Sequence, residues 1–357
     1  MKRERLLYLD FLRSLAIILV VFCHAIELFY PSSYNHTLSV SQMSFYIQTL
    51  FYLLSRLGVP IFLMITGVLM INSKEININL FYKKYLLPLL LITELWIILN
   101  NLFYSFIFKI DLDVTSIINQ MLFLEPLMMK QMWYMPLILG IYLFIPFIKL
   151  GIEKYTNDKI IFIPLCLGII TYFLIPTINI LINAYFPESI TRSMNLDLSF
   201  IGGIGGIYIF TGYFLNKFKI HFNTIILFLL FIITLLINVY CLLYLRSSSY
   251  EYSNYIWYSN FFTYLSSMSL FLIIKNIIGN SFCIKIIFYI SKISFAIFLI
   301  HMIILTFLFQ NFDVLRLPIP IQIVFYSVLT LVISIFIIYT FDKLLPYKYK
   351  KAIFYIR

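Results

Sequence analysis

Four ionisable side chains near the N-terminus have types and spacing that suit acid–base and phosphate chemistry. Asp10, Arg13, His24 and Glu27 all fall within the apolar run 7–30. At about 100° per residue, the step from Arg13 to His24 makes three turns of helix, so both side chains share one face, about 16 Å apart. Glu27 follows His24 by one turn and can fix the imidazole tautomer. Asp10 precedes Arg13 by one turn and is placed to hold the guanidinium.

This stripe has a cation at one end and a base nearer the other, as chemistry across an apolar layer would require. The alternative is structural: Arg13 extends to lipid phosphate and His24 hydrogen-bonds a neighbouring helix. Ionisable side chains inside apolar runs are costly, and they are therefore functional candidates. Three more interrupt later runs: Arg56, Glu94 and His301.

The composition defines the elements that must position these groups. Of 357 residues, 62% are apolar and 11% are charged, and the mean hydropathy is +0.97. A soluble domain has about 45–50% apolar and about 25% charged residues. The composition excludes a cytosolic enzyme, a nucleic-acid-binding protein and a secreted disulfide scaffold. It indicates a multi-span membrane protein.

The predicted fold is an all-α, polytopic membrane protein, with residues 1–357 forming a single membrane domain. A helix needs about 20 mostly apolar residues to cross a bilayer. The second span is over-long, and Gly58 and Pro60 are expected to break or kink it. The ten predicted spans are 7–30, 44–71, 85–107, 132–150, 160–182, 198–216, 223–245, 255–275, 286–309 and 320–342.

The net charge of +11 is explained by membrane orientation. With the N-terminus inside, 19 of the 26 Lys and Arg residues lie in cytoplasmic segments and 5, Arg246 among them, lie in external loops. This bias predicts that both termini are cytoplasmic. It also predicts contact with anionic membrane lipid and no binding of nucleic acid. The external segment 109–131 is expected to dip back toward the membrane near Pro126.

Five short motifs follow one another along nearly the whole chain. The first is an Arg and a His with ten residues between, Arg13 and His24 in the stretch Leu9–His24, and the later ones are Arg56–Gly67, Lys83–Pro88, Trp133–Pro146 and Ser294–His301. In these motifs the chain resembles the acyltransferase-3 membrane family, of the type without an extra extracytoplasmic domain. Lys83 and Lys84 stand where many members have arginines, and Thr66 replaces the usual Ser.

The resemblance implies an acyl-CoA-dependent O-acetyltransferase of the bacterial plasma membrane. Such an enzyme moves an acyl group, usually acetyl, from cytoplasmic acetyl-CoA to a hydroxyl of a cell-surface polysaccharide or its lipid-linked precursor. The partners are then acyl-CoA and a surface glycan or lipid-linked sugar. Acetyl-CoA is a donor substrate, and no bound cofactor and no metal site are predicted.

The candidate catalytic group is His24, which suits removal of a hydroxyl proton near neutral pH. Glu27 is its expected orienter, and a covalent acyl-histidine is the variant. Cations for the CoA phosphates are expected from Arg13, Lys83 and Lys84. The alternative interpretation of the two lysines is that they mark the cytoplasmic boundary.

The remaining candidates each have two interpretations. Arg56 holds the thioester or intermediate oxygen, or it pairs with Glu94 or Glu27. His301 handles a second proton, or it is a polar packing contact. Trp133 and Tyr134 stack on sugar rings, or they belong to an interfacial aromatic belt.

Two other function classes compete with the enzyme. A transporter or exporter of a polysaccharide or lipid-linked unit would use the same polar groups to line a path. A structural membrane subunit would tolerate loss of Arg13 and His24. The pattern Gly202-x-x-x-Gly206 lacks the strand and the Lys of a phosphate loop and is interpreted as close helix packing.

Overall fold

In the computed structural model, most of the described part of the chain is α-helical. The described residues are 6–29, 41–71, 77–154, 158–186, 202–218, 222–247, 253–278, 285–312, 317–346 and 353–354. No strand occurs in these ranges. The α-helices are α1 Leu7–Glu27, α2 Gln42–Ser55, α3 Gly58–Met70, α4 Ile78–Phe81, α5 Leu87–Phe108, α6 Val114–Met121, α7 Tyr134–Lys154, α8 Asp158–Ile169, α9 Ile175–Tyr185, α10 Gly203–Lys217, α11 Thr224–Ser247, α12 Phe261–Ile277, α13 Lys285–Asn311 and α14 Ile319–Leu344.

Eight helical segments in the described ranges are long and apolar enough to cross a membrane. Each coincides with one of the ten predicted spans, so the all-α polytopic architecture is confirmed. Large apolar side chains point outward from these segments, as a lipid-facing surface requires; Phe106, for example, is 82% exposed. The eight segments are Leu7–Glu27, Gln42–Met70, Ile78–Phe108, Lys130–Lys154, Phe162–Tyr185, Thr224–Arg246, Lys285–Asn311 and Ile319–Leu344.

The other two predicted spans form shorter helices. The span predicted over 198–216 is α10, with 15 residues, and its first residues lie outside the described ranges. The span predicted over 255–275 is α12, with 17 residues. One side of α12 is polar and buried, and its Ser266 hydroxyl lies 2.9 Å from the Thr234 hydroxyl of α11. Such interhelical hydrogen bonds hold a short helix inside the protein without a full apolar length.

The second span breaks between α2 and α3, as Gly58 and Pro60 predicted. Arg56 and Leu57 form a turn between the two helices. The cause is Pro60, whose ring would clash with the carbonyl of Arg56, four residues earlier, in a continuous helix. The break places Arg56 at the C-terminal end of α2, where the helix dipole favours a cation.

The chain folds as two compact units. Unit 1 comprises Met1–Asn72, Tyr155–Ser291 and Leu315–Val324, and unit 2 comprises Ser73–Lys154, Lys292–Val314 and Phe325–Arg357. Unit 1 contains α1–α3 and α8–α12, and α13 and α14 contribute to both units. The single domain over 1–357 stays a prediction. So does the membrane orientation, because residues 1–5 and most of 347–357 lie outside the described ranges.

In unit 1, α3 and α10 touch backbone to backbone. A Cβ added at Gly67 would lie 1.9 Å from the Ile209 carbonyl oxygen, and one added at Gly212 would lie 2.1 Å from the Met64 oxygen. Only glycine permits this approach. A Cβ at Gly202 would lie 3.4 Å from the Gly206 Cα of the same segment, and the close packing expected of the Gly202–Gly206 pair stays a prediction.

In unit 2, hydrogen bonds connect the segment after α5 back to that helix, while the expected dip toward the membrane near Pro126 stays a prediction. The Asn101 side chain donates to the Gln120 side chain at 3.0 Å. The same Gln120 oxygen accepts from the Met128 backbone N–H at 3.1 Å. Met129 and Gln131 are buried, whereas Leu122 and Leu124 are exposed, so the segment is anchored at its C-terminal end.

Candidate active site

The N-terminal half of α1 carries a hydrogen-bonded group built on Arg13. The Ser291 hydroxyl of α13 donates to Asp10 at 2.7 Å and accepts from Arg13 Nη1 at 3.4 Å. Asp10 itself lies 3.9 Å from that nitrogen. Ser14 donates to the Ile287 carbonyl at 2.7 Å and fixes α13 against α1. Asp10 and Ser291 are buried, whereas the Arg13 side chain is about 29% exposed, so its charge is held in place and still accessible.

At the other end of α1, His24 and Glu27 are in direct contact. His24 Nδ1 lies 2.9 Å from Glu27 Oε2. The sequence predicts this pair because residues three apart share a helix face. A carboxylate accepts the proton on Nδ1, which leaves the basic lone pair on Nε2.

The second oxygen of Glu27 binds Arg56 across the helix interface. Arg56 Nη2 lies 2.9 Å from Glu27 Oε1. Of the pairings considered for Arg56, the structure therefore contains the one with Glu27. Arg56 is 6% exposed, and its Nε has no hydrogen-bond partner among the described residues. A buried guanidinium needs such an acid because an isolated buried charge is costly.

Two tyrosines complete the surroundings of Arg56. Tyr52 lies one turn earlier on α2; its hydroxyl is in short contact with Arg56 Nη2 and lies 3.4 Å from Glu27 Oε1. Tyr258 accepts from Arg56 Nη1 at 3.3 Å. The guanidinium carbon lies 4.7 Å from the Tyr52 ring centre and 5.4 Å from that of Tyr258. These cation–π contacts hold the cation in one position.

The sequence prediction missed Tyr52, Tyr258 and Ser291. Tyr52 had a signal, because it lies four residues before Arg56 and shares its helix face. Tyr258 and Ser291 had none, since each comes from a distant part of the chain and no local pattern ties it to α1 or α2.

The other six predicted site residues belong to unit 2. Lys83 and Lys84 are exposed in the π-helical turn Tyr82–Leu86 before α5. The Lys84 ammonium lies 5.3 Å from the Tyr85 ring centre. Glu94 is on α5, and its Oε2 is buried without a hydrogen-bond partner among the described residues.

Trp133, Tyr134 and His301 lie in well-packed surroundings within unit 2. The rings of Trp133 and Tyr134 meet edge to face, with centres 6.1 Å apart. Tyr134 also contacts Phe298 of α13, with ring centres 5.7 Å apart. His301 is fully buried, and its Nδ1 lies 2.8 Å from the Phe298 carbonyl, one turn earlier. This carbonyl fixes the proton on Nδ1.

Comparisons with known proteins identify one family. A family model described as an acyltransferase domain matches residues 6–339. No curated protein and no solved structure matches the chain. Within the described residues, no three His, Cys, Asp or Glu side chains come together to hold a metal ion.

Proposed function

The chain belongs to the acyltransferase-3 family of membrane proteins, and from that premise we propose a specific reaction for it. The protein moves an acyl group, acetyl in the expected case, from cytoplasmic acyl-CoA to a hydroxyl of a cell-surface polysaccharide or its lipid-linked precursor. The observation that supports this proposal is the chain of contacts from His24 through Glu27 to Arg56.

His24 acts as the base in this reaction. Its Nε2 takes the proton of the acceptor hydroxyl while that oxygen attacks the thioester carbonyl carbon. Collapse of the tetrahedral intermediate breaks the C–S bond, and the imidazolium returns its proton to the leaving CoA thiolate. Glu27 orients the ring and stabilises the imidazolium, as a carboxylate does in other histidine-based sites.

Arg56 acts through Glu27. Its Nη2 is bound to Glu27 and Tyr52, and its Nη1 to Tyr258. These contacts keep Glu27 ionised and oriented toward His24. Arg56 is thus a positioning residue in this proposal. The alternative role, binding the oxygen of the tetrahedral intermediate, would require its Nε, which has no hydrogen-bond partner among the described residues.

Arg13 binds the donor. A guanidinium forms two parallel hydrogen bonds to a phosphate, and the Asp10–Ser291 contacts orient that of Arg13. Arg13 and His24 are about 16 Å apart along α1, and the long arm between the phosphates and the thioester of CoA bridges such a separation. The donor contacts expected from the sequence at Lys83 and Lys84 stay predictions.

Direct transfer and a covalent route differ in one intermediate. In the covalent route, His24 Nε2 attacks the thioester, CoA leaves, and the acceptor oxygen then displaces the imidazole. Incubation of the protein with radiolabelled acetyl-CoA and no acceptor distinguishes the two. Label retained on the protein, and lost in His24→Ala, supports the covalent route.

The deciding experiment measures CoA release in detergent. Purified protein is incubated with radiolabelled acetyl-CoA, with and without membrane glycan, beside His24→Ala. Phe106→Ala is the matched control, because Phe106 lies on the outer surface of unit 2. We expect glycan-dependent CoA release that persists in the control, and a loss of about a hundredfold or more in His24→Ala with donor binding retained.

The proposed reaction is overturned if folded wild-type protein neither binds nor cleaves acyl-CoA across several acyl chains and acceptors. The transporter interpretation would then account for the polar groups of α1.

A further inference from the structure

A carboxyl group interrupts the outward-facing stripe of α5. The residues of this stripe recur every three or four positions, so they project to one side of the helix. Its four apolar members are between 38% and 60% exposed, whereas Trp96, on the opposite side of the helix from Glu94, is buried. Glu94 therefore lies on a face that the described chain leaves largely uncovered. The α5 stripe comprises Leu87, Leu91, Glu94, Ile98 and Leu102.

Glu94 also lies deep in the apolar layer. Along the helix axis it is about 15 Å from Lys84 and about 22 Å from Lys109, the cations that flank this span. The hydrocarbon core of a bilayer is about 30 Å thick, so the carboxyl lies near its middle. A glutamate side chain is too short to reach the lipid headgroups from there, and the hydrocarbon core holds no water to hydrogen-bond it.

This carboxyl needs a polar partner within the membrane. Its Oε2 is buried and has no hydrogen-bond partner among the described residues. Ionisable side chains at such a depth are costly, and they almost always pair with another polar group. Arg56, one partner considered for Glu94 from the sequence, is paired with Glu27. Depth and polarity together indicate a group on another polypeptide in the same layer.

We infer that the α5 stripe is the surface on which two copies of this chain associate in the membrane. Two copies with the same orientation are related by a two-fold axis along the membrane normal, so their α5 helices run parallel and Glu94 of one copy faces Glu94 of the other. A neutral carboxyl donates through one oxygen and accepts through the other, so it hydrogen-bonds its own copy. The partner must present an apolar face with one polar group at this depth, and a second α5 has that pattern.

The spacing of the stripe suits such a pair. The steps from Leu87 to Ile98, of four, three and four residues, follow the a and d positions of a heptad repeat, at which the side chains of two parallel helices interdigitate. A single polar residue within such an apolar seam fixes the register of the helices and their number. Glu94 has this role in the proposed dimer, and the association goes beyond the proposed acyl transfer.

The first test measures association in lipid. The purified chain is reconstituted into liposomes at decreasing protein density, and the dimer fraction is determined by single-molecule subunit counting. We expect wild type to dimerise. Glu94→Leu should raise the dimer dissociation constant by about threefold to thirtyfold, the effect of losing interhelical hydrogen bonds in a membrane. Glu94→Gln should stay within about threefold of wild type, because an amide also donates and accepts.

Disulfide cross-linking in membranes locates the surface while Glu94 stays in place. Leu91→Cys and Ile98→Cys lie one turn to either side of Glu94 and should each give a cross-linked dimer on oxidation. Val332→Cys, an exposed position of α14 in unit 2, is the matched control and should not. The wild-type chain, treated in the same way, shows what its native cysteines contribute. These variants test the surface even where Glu94→Leu fails to fold.

Three results overturn the inference. The first is a wild-type chain that stays monomeric at every density. The second is a folded Glu94→Leu protein that associates as tightly as wild type. The third is a cross-link from Leu91→Cys to a native cysteine of the same chain without a dimer, which would show that another part of the chain covers the stripe. None of these measurements depends on turnover, so they are independent of the proposed function.

Discussion

Replacing Glu27 by Gln separates two effects that the structure assigns to one carboxylate. The change keeps the shape of the side chain and removes its charge. One consequence falls on Arg56, which is 6% exposed and loses the acid 2.9 Å from its Nη2. At that distance the attraction is about 6 kcal/mol with an effective dielectric constant of 20. Loss of one partner of such a buried pair costs about 3–5 kcal/mol.

The tyrosines around Arg56 reduce this cost. The rings of Tyr52 and Tyr258 flank the guanidinium, and such contacts, worth about 0.5–2 kcal/mol each, leave the Arg56 charge partly compensated once residue 27 is neutral. We therefore expect Glu27→Gln to lower the free energy of unfolding by about 2–3 kcal/mol. The double variant Glu27→Gln/Arg56→Gln should recover part of this loss, because no buried charge remains.

The second consequence falls on His24. The side-chain amide introduced by Glu27→Gln can donate to Nδ1, which shifts the imidazole proton to Nε2 and removes the base. We expect kcat to fall by about a hundredfold to ten-thousandfold, in the single and the double variant alike.

The assay combines thermal unfolding in detergent with CoA release at saturating donor and acceptor. Asp111→Asn, which removes an exposed carboxylate of unit 2, is the control and should change neither quantity. A folded Glu27→Gln protein with kcat within about threefold of wild type would refute the role of Glu27. A double variant no more stable than the single one would refute the account of Arg56.

Two further predictions concern Arg13 and the packing of unit 1. Ser291→Ala removes the hydroxyl that links Arg13 to Asp10, so the KM for acyl-CoA should rise about tenfold with little change in kcat. Ser291→Thr should restore the wild-type KM. An equal loss of kcat would contradict the role of Arg13 in donor binding. Gly67→Ala would place a Cβ 1.9 Å from the Ile209 backbone oxygen. The free energy of unfolding should therefore fall by at least about 1–3 kcal/mol. Gly140→Ala, with open space around its Cβ, should be neutral or stabilising by thermal unfolding; equal losses in both would contradict the packing argument.

Whether a contact of the candidate site could be predicted depends on how far apart its two residues lie in the sequence. The His24–Glu27 pair could be predicted because both residues lie on one helix, one turn apart. The Asp10–Arg13 pair follows the same rule, but its geometry depends on Ser291, which the sequence did not indicate. The Arg56–Glu27 pair was one of several alternatives, since nothing along the chain tells which helix faces Arg56.

The class of the protein and the position of its helices could be predicted from the amino-acid sequence alone. Transfer of apolar residues into a bilayer is favourable residue by residue, so a stretch of about 20 of them predicts a span without knowledge of its neighbours. The break at Pro60 is likewise local, because it follows from the geometry of one ring. The family motifs lie along the chain and need no tertiary information.

The tertiary structure decided which helices meet, at what register, and which polar groups are buried together. Arg246 appears in the sequence as one more external charge, yet it is buried against Thr49 and Phe45. Much of α10 and α12 is buried against neighbouring helices. Such contacts depend on close approaches such as the one at Gly67. Hydropathy along the chain does not encode them, because it measures how well each residue suits lipid, whereas interhelical contact depends on shape and hydrogen bonding.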